Sequence, residues 1–180
     1  IPIRTELGSE IRRAFIAAPG CLLTDADYSQ IELRVLAHFS KDAAMVDAFQ
    51  KGQDIHTRTA AEVYGVPMEQ VTPAMRSSAK AVNFGLVYGI SEFGLSRNIG
   101  VSRKEAAEFI ARYFARYPGV KKFMDESVRR GYDAGYAVTL MGRRRQLPEL
   151  KSSNANVRSF GERAAMNTPV QGTAADIIKL

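Results

Sequence analysis

Thr72-Pro73-Ala74-Met75-Arg76-Ser77-Ser78-Ala79-Lys80-Ala81-Val82-Asn83-Phe84-Gly85-Leu86-Val87-Tyr88-Gly89 is the stretch on which the reading of this chain turns. Thr72 is a good N-cap, and proline suits the first helical position because the amide hydrogen it lacks has no partner there. The pattern predicts a helix from residue 73 to about 88, closed by Gly89. Along it Arg76, Lys80, Phe84 and Tyr88 recur every four residues, each step turning ~40° and rising ~6 Å. Two cations one turn apart, then an aromatic, form a stripe suited to a triphosphate with a stacked sugar or base. The spacing alone equally fits an amphipathic helix with solvated cations and core aromatics. Gly85 and Gly89 beside the aromatics are expected to leave room for a base or backbone to approach.

Working outward, Cys21-Leu22-Leu23-Thr24-Asp25-Ala26-Asp27 reads as a short strand with a polar end, followed by a helix over 29–39. On an ideal strand Asp25 and Asp27 share a face and could together hold a hard cation; a turn or a helix cap explains two such aspartates as well. Further helices are expected at 42–50 and 55–64, the second closed by Gly65 and a Val-Pro turn. Beyond the central helix come helices at about 102–116 and 119–134, broken at Tyr117-Pro118-Gly119. Tyr136 to Leu147 alternates around Met141-Gly142 like a β-hairpin, with Arg143, Arg144 and Arg145 just past its turn. A last helical stretch over 155–180 should be interrupted near Thr168-Pro169, where proline removes a backbone donor. Helix dominates with a minor sheet, so the expected class is α+β.

Composition limits the alternatives. At 180 residues, 46% hydrophobic and 24% charged, the chain has the balance of a folded protein rather than a disordered tail. No apolar run approaches the ~20 residues a membrane-crossing helix needs, so no membrane partner is expected. A single cysteine, Cys21, excludes an internal disulfide, and the expectation is core packing in a reducing cytoplasm. Net charge is +6, unevenly spread: residues 1–50 hold 5 Lys/Arg against 7 Asp/Glu, residues 101–180 hold 15 against 8. A basic C-terminal half suits a polyanion, though a solvated basic face gives the same balance. The chain opens at Ile1 and stops at Leu180 within a helical pattern, so a fragment of a longer protein is expected.

The residues themselves carry more than their spacing. Asp27-Tyr28-Ser29-Gln30-Ile31-Glu32-Leu33-Arg34 resembles motif A of the family A DNA polymerases, the DNA polymerase I type. Arg76-x3-Lys80-x3-Phe84-Gly85-x2-Tyr88-Gly89 resembles that family's motif B. Asp54-Ile55-His56-Thr57 between them is similar to its short histidine motif. Asn167-x-Pro169-x-Gln171-Gly172-Thr173-Ala174-Ala175-Asp176 resembles the palm helix that meets the template-primer. The four stand in the family's order and span nearly the whole chain.

This resemblance implies a right-hand polymerase fold. Residues 1–40 would belong to the palm, 41–135 to a mostly helical fingers subdomain, and 136–180 to a hairpin and palm helix of its β-sheet palm. Asp27, with the backbone carbonyl of Tyr28, would hold part of a pair of Mg²⁺ ions. Arg76, Lys80 and His56 would grip the triphosphate, with Gln30 near the same phosphates. Glu32 would lie under the sugar and exclude a 2′-hydroxyl, which argues against an RNA polymerase. Phe84 would pack on sugar and base, and its identity implies rejection of dideoxynucleotides, relaxed by Phe84→Tyr. Tyr88 would close the pocket near the templating base. Gly85, Arg163, Asn167 and Gln171 would meet the duplex, the last three through minor-groove acceptors that recur in every correct pair. The implied partners are a DNA template-primer and deoxynucleoside triphosphates, with the protein a monomer. The second metal-binding aspartate would lie outside the chain, leaving these 180 residues inactive alone.

Overall fold

The computed structural model describes residues 5–180, so the first four residues of the expected 1–40 part lie outside it. The 72–89 stretch folds as its local signals dictate. Helix α5 (Pro73–Val87) starts where the Thr72 hydroxyl accepts from the Met75 amide at 3.2 Å. It stops at Tyr88, after which Gly89 turns the chain with φ +68°. Ala79, Val82, Asn83 and Leu86 fall on one face and are buried, so the face flanking the cations anchors the helix.

The other helices pack around that face. Chain order runs α1 (Glu6–Arg13), α2 (Ile31–Ser40), α3 (Ala43–Gln50), α4 (Ile55–Tyr64), then α5; α6 (Glu92–Ile99), α7 (Arg103–Arg116) and α8 (Pro118–Ala134) follow. Asp42 caps α3 and also accepts from the Gly119 amide at 2.9 Å, tying α3 to the start of α8. Asp54 caps α4, and Ser102 with Glu105 forms a reciprocal capping box on α7. Leu33, Leu36, Met45, Ile55, Val82 and Leu95 are completely buried in one core to which every helix from α2 to α8 contributes.

After α8 the strands β1 (Tyr136–Val138) and β2 (Arg144–Gln146) pair antiparallel, with Ala137 opposite Arg145. The hairpin lies against the long helix α9 (Ala155–Ile178), and Ala137, Leu147, Leu150, Ala164 and Ala165 form a second, smaller core there. The architecture is α+β, mostly helical with this two-stranded sheet.

Four expectations are corrected. Residues 21–28 form no strand: they run without a ladder partner, and Leu22 is 91% exposed. A short apolar run does not make a strand without an edge to pair with. Cys21 consequently is exposed rather than packed in the core, and Asp25 and Asp27 do not share a strand face. Finally, α9 runs unbroken through Pro169. The helix loses one internal bond there, but burial of Ala165, Pro169, Val170, Thr173 and Ala174 on both sides of the proline outweighs it.

Candidate nucleotide and nucleic-acid site

Two clusters form around α5. The first joins three elements through side-chain hydrogen bonds. Tyr88, at the end of α5, donates its hydroxyl to Glu32 in the first turn of α2 at 2.7 Å. Gln171 on α9 reaches the same hydroxyl at 3.5 Å, and Asn167 one turn earlier donates to Gln171 at 3.2 Å. Partial burial, then the Glu32 carboxylate, pushes the Tyr88 phenol up to about 12, so it remains a donor at neutral pH. Arg163 lies one further turn back; its alkyl stem sits against Gly89, where an added Cβ would come within 2.6 Å of it. A glycine is required at 89 both for that contact and for the left-handed backbone.

The second cluster lies towards the N-terminal end of α5. Arg76 pairs with Asp54, whose other hydrogen bonds cap α4. Burial alone pushes the Asp54 carboxyl up, but the Arg76 guanidinium and the capping bonds outweigh it and hold it below the ordinary value. His56 is buried, 3% exposed, with its ring 5.5 Å from that of Phe84. Burial pushes the imidazole down to about 4, with Arg76 and Lys80 assisting against the opposing pull of Asp54. The ring is therefore neutral near pH 7. Lys80 is exposed and has no carboxylate partner among the described residues. It opens with Phe84, Ser77 and Asn98 onto a depression of about 660 Å³.

Asp27 and Tyr28 are exposed on the segment leading into α2, and Gln30 caps that helix in a left-handed conformation with φ 55°. An exposed carboxylate and a main-chain carbonyl are oxygen donors of the kind a hard cation takes. Among the described residues, no three His, Cys, Asp or Glu side chains converge as a complete metal cluster. The space beside Gly85 is not open as expected: Ile90 fills it, within 2.8 Å of where a Cβ would stand.

Beside Glu32 and Gln171 lies a cleft of about 520 Å³, edged by Arg143, Arg144 and Arg145. The three arginines differ. Arg143 pairs with Asp176 and donates to the Gly172 carbonyl at 2.9 Å, so it fastens the hairpin to α9. Arg144 and Arg145 stack over Tyr136 and Phe160 and have no carboxylate partner among the described residues.

Sequence reasoning overlooked Asn83, Thr59 and Tyr117, all completely buried and hydrogen-bonded to one another or to His56. The available signal is an asparagine in the apolar face formed by Ala79, Val82 and Leu86, because a buried amide needs partners.

The model of the family described as DNA polymerase family A matches residues 1–180. DNA polymerase I of Geobacillus stearothermophilus is 59% identical over 180 residues, covering 99% of this chain and 20% of that protein. DNA polymerase I of Bacillus subtilis is 58% identical over 99% of this chain and 20% of its own length. The chain thus spans about a fifth of the length of these curated relatives. A solved structure of the POL domain of Pol1 from M. smegmatis, in complex with DNA primer-template and dNTP, superposes with a TM-score of 0.89. It is 46% identical and covers 99% of this chain and 32% of that one.

Proposed function

The chain belongs to DNA polymerase family A, and we propose that it forms the nucleotide-receiving part of a template-directed DNA polymerase. In this reading, residues 41–135 are the fingers, while 5–40 and 136–180 belong to the palm. The observation that carries it is the meeting of α2, α5 and α9 at Glu32, Tyr88 and Gln171. Residues from two other motifs, Glu32 and Gln171, meet at the Tyr88 hydroxyl.

The whole protein adds a deoxynucleoside monophosphate to a primer 3′-hydroxyl, releasing pyrophosphate. Arg76, Lys80 and His56 take the triphosphate, supplying donors and positive charge where negative charge sits in the transition state. Arg76 must exchange Asp54 for phosphate, while Lys80 is available without exchange. Gln30, at the turn before α2, is placed to add a donor. Phe84 packs against sugar and base. Glu32, held by Tyr88, presents a fixed obstacle beneath the sugar, so a 2′-hydroxyl meets a carboxylate that cannot swing aside. Asn167, Gln171 and Arg163 line one side of α9 as donors to the duplex minor groove. Asp27 and the Tyr28 carbonyl are the oxygens this chain offers to Mg²⁺, which when bound activates the primer hydroxyl and steadies the leaving pyrophosphate.

The test uses the full-length protein that carries this segment, in primer extension with Mg²⁺. Extension with deoxynucleotides and not ribonucleotides, lost on Asp27→Ala, is expected. Dideoxynucleotides should be incorporated poorly, and Phe84→Tyr should relax that rejection. Failure of the intact protein to extend a primer would leave a helical module that binds nucleic acid without catalysis.

A further inference from the structure

We propose that Asn83, held in a buried relay with Thr59, Tyr117 and Glu62, fixes His56 in the tautomer protonated at Nε2. Asn83 is then the residue that positions the His56 phosphate contact. The phosphate part rests on the polymerase reading above; the relay itself does not.

The assignment follows from the donors and acceptors placed around the ring. Glu62 lies 3.2 Å from Arg58 and 2.8 Å from Arg116. Burial pushes its carboxyl up, but Arg116, the Tyr117 hydroxyl and Arg58 outweigh this and hold it below the ordinary value, so it is ionised and can only accept. Tyr117 is completely buried, and its hydroxyl stands 2.9 Å from Glu62 Oε2. Its single proton therefore points to the carboxylate. The Thr59 hydroxyl, also completely buried, stands 3.2 Å from the Tyr117 oxygen. With the phenolic proton already committed, Tyr117 can only accept from Thr59, whose hydroxyl also reaches Asn83 Oδ1 at 3.3 Å.

On α5, Asn83 faces the Thr59 oxygen with Nδ2 at 3.2 Å and Oδ1 at 3.3 Å. Both amide atoms are within hydrogen-bond distance of Thr59, and the amide is turned so that its nitrogen, which can only donate, is the atom facing His56. That nitrogen carries a second hydrogen, and His56 Nδ1 lies 3.0 Å away. His56 Nδ1 therefore accepts. The charged groups around the ring are Asp54, Arg76 and Lys80, and with burial they leave it neutral. Its one proton then sits on Nε2, the orientation a phosphate oxygen, which only accepts, requires. The opposite tautomer would present a lone pair to that oxygen.

Two histidines, His38 and His56, make the test tractable. In the 180-residue chain labelled with ¹⁵N-histidine, NMR identifies which ring nitrogen is unprotonated at neutral pH. The expected result is Nδ1 for His56. Finding Nε2 unprotonated overturns the proposal, and that measurement needs no variant to fold. Asn83→Asp puts a group that can only accept at the same place, so the proton should move to Nδ1 and the imidazole pKa should rise. An unchanged tautomer in this variant overturns the positioning role of Asn83. In the full-length protein Asn83→Asp should raise KM for deoxynucleotides by roughly tenfold or more with a smaller change in kcat. Should the tautomer move while KM stays constant, the relay stands and the phosphate role of His56 falls.

Discussion

Burial beside two cations gives His56 a stability signature that separates it from the carboxylates around it. Its imidazole sits at about 4 in the folded chain against an ordinary 6.5. Between those values the unfolded chain binds more protons than the native one, so stability rises with pH across the window and is lost on acidification through it. Asp54 and Glu62, held below their ordinary values, also lose stability in acid, so the contrast needs a partner variant. His56→Gln has no such proton. The gap in unfolding free energy between the unsubstituted chain and this variant should shrink from pH 6.5 towards 4, by up to ~1.4 kcal/mol per pH unit. Urea melts at three pH values measure it, and a gap independent of pH would mean the ring titrates alike in both states. Glu32 and Tyr88 offer a second contrast at this scale. Glu32→Ala removes the obstacle under the sugar and should raise ribonucleotide incorporation by the full-length protein roughly tenfold to a hundredfold. Tyr88→Phe removes only the 2.7 Å hydrogen bond and should raise it less. Equal effects would mean that Glu32 discriminates only while Tyr88 holds it.

Where elements meet, close approach replaces hydrogen bonding as the deciding term. The hairpin sits on α9 at Gly172, where an added Cβ would come within 2.5 Å of Thr139 Cγ2. Thr139 has no freedom to turn away, because its hydroxyl donates to Asp176 at 2.6 Å and accepts from the Arg143 amide at 3.1 Å. Gly172→Ala gains about 1 kcal/mol of helix propensity yet overpacks this contact by roughly 1–3 kcal/mol. A net loss in unfolding free energy is expected, and Thr139→Ser, which keeps the hydroxyl and deletes the methyl, should recover it. A double variant no better than Gly172→Ala would place the strain elsewhere. None of this was readable from sequence, since residues 139 and 172 meet only in the folded chain. What was readable had local causes: Thr72-Pro73 starting α5, Gly65 ending α4, Met141-Gly142 turning the hairpin. The stripe of Arg76, Lys80, Phe84 and Tyr88 belongs with these, because helical spacing alone puts it on one face. The 21–27 segment and Pro169 misled because each was judged by propensity. The first lacks a strand to pair with, and the second is held helical by the packing on either side of it.

Across the whole molecule, charge sorts into paired and available groups. Four of the eight carboxylates in the basic region 101–180 are taken by cations: Arg112 pairs with Glu108, Lys121 with Asp125, Arg130 with Glu126, Arg143 with Asp176. The excess of 15 Lys/Arg over 8 Asp/Glu is therefore carried by groups such as Arg144 and Arg145. These two edge the cleft beside Glu32 and Gln171, their guanidinium groups supported on aromatic faces and free of carboxylates among the described residues. In the proposed polymerase they are positioned to neutralise DNA phosphates. Each phosphate neutralised releases condensed counterion, contributing about 0.9 to the slope of log affinity against log salt. The double substitution Arg144→Ala with Arg145→Ala should flatten that slope by nearly 2 for a primer-template bound to the full-length protein. Fluorescence anisotropy between 50 and 200 mM salt, roughly the range over which this effect is large, provides the measurement. Arg143→Ala should leave the slope nearly unchanged and lower stability instead, because it strips Asp176 of its cation and α9 of its tie to the hairpin. If Arg143→Ala flattens the slope as much as the double substitution, all three arginines face the DNA and the ion pair with Asp176 opens when DNA binds. If neither variant changes the slope, phosphate attraction lies elsewhere on the basic region and the cleft is not the path of the duplex.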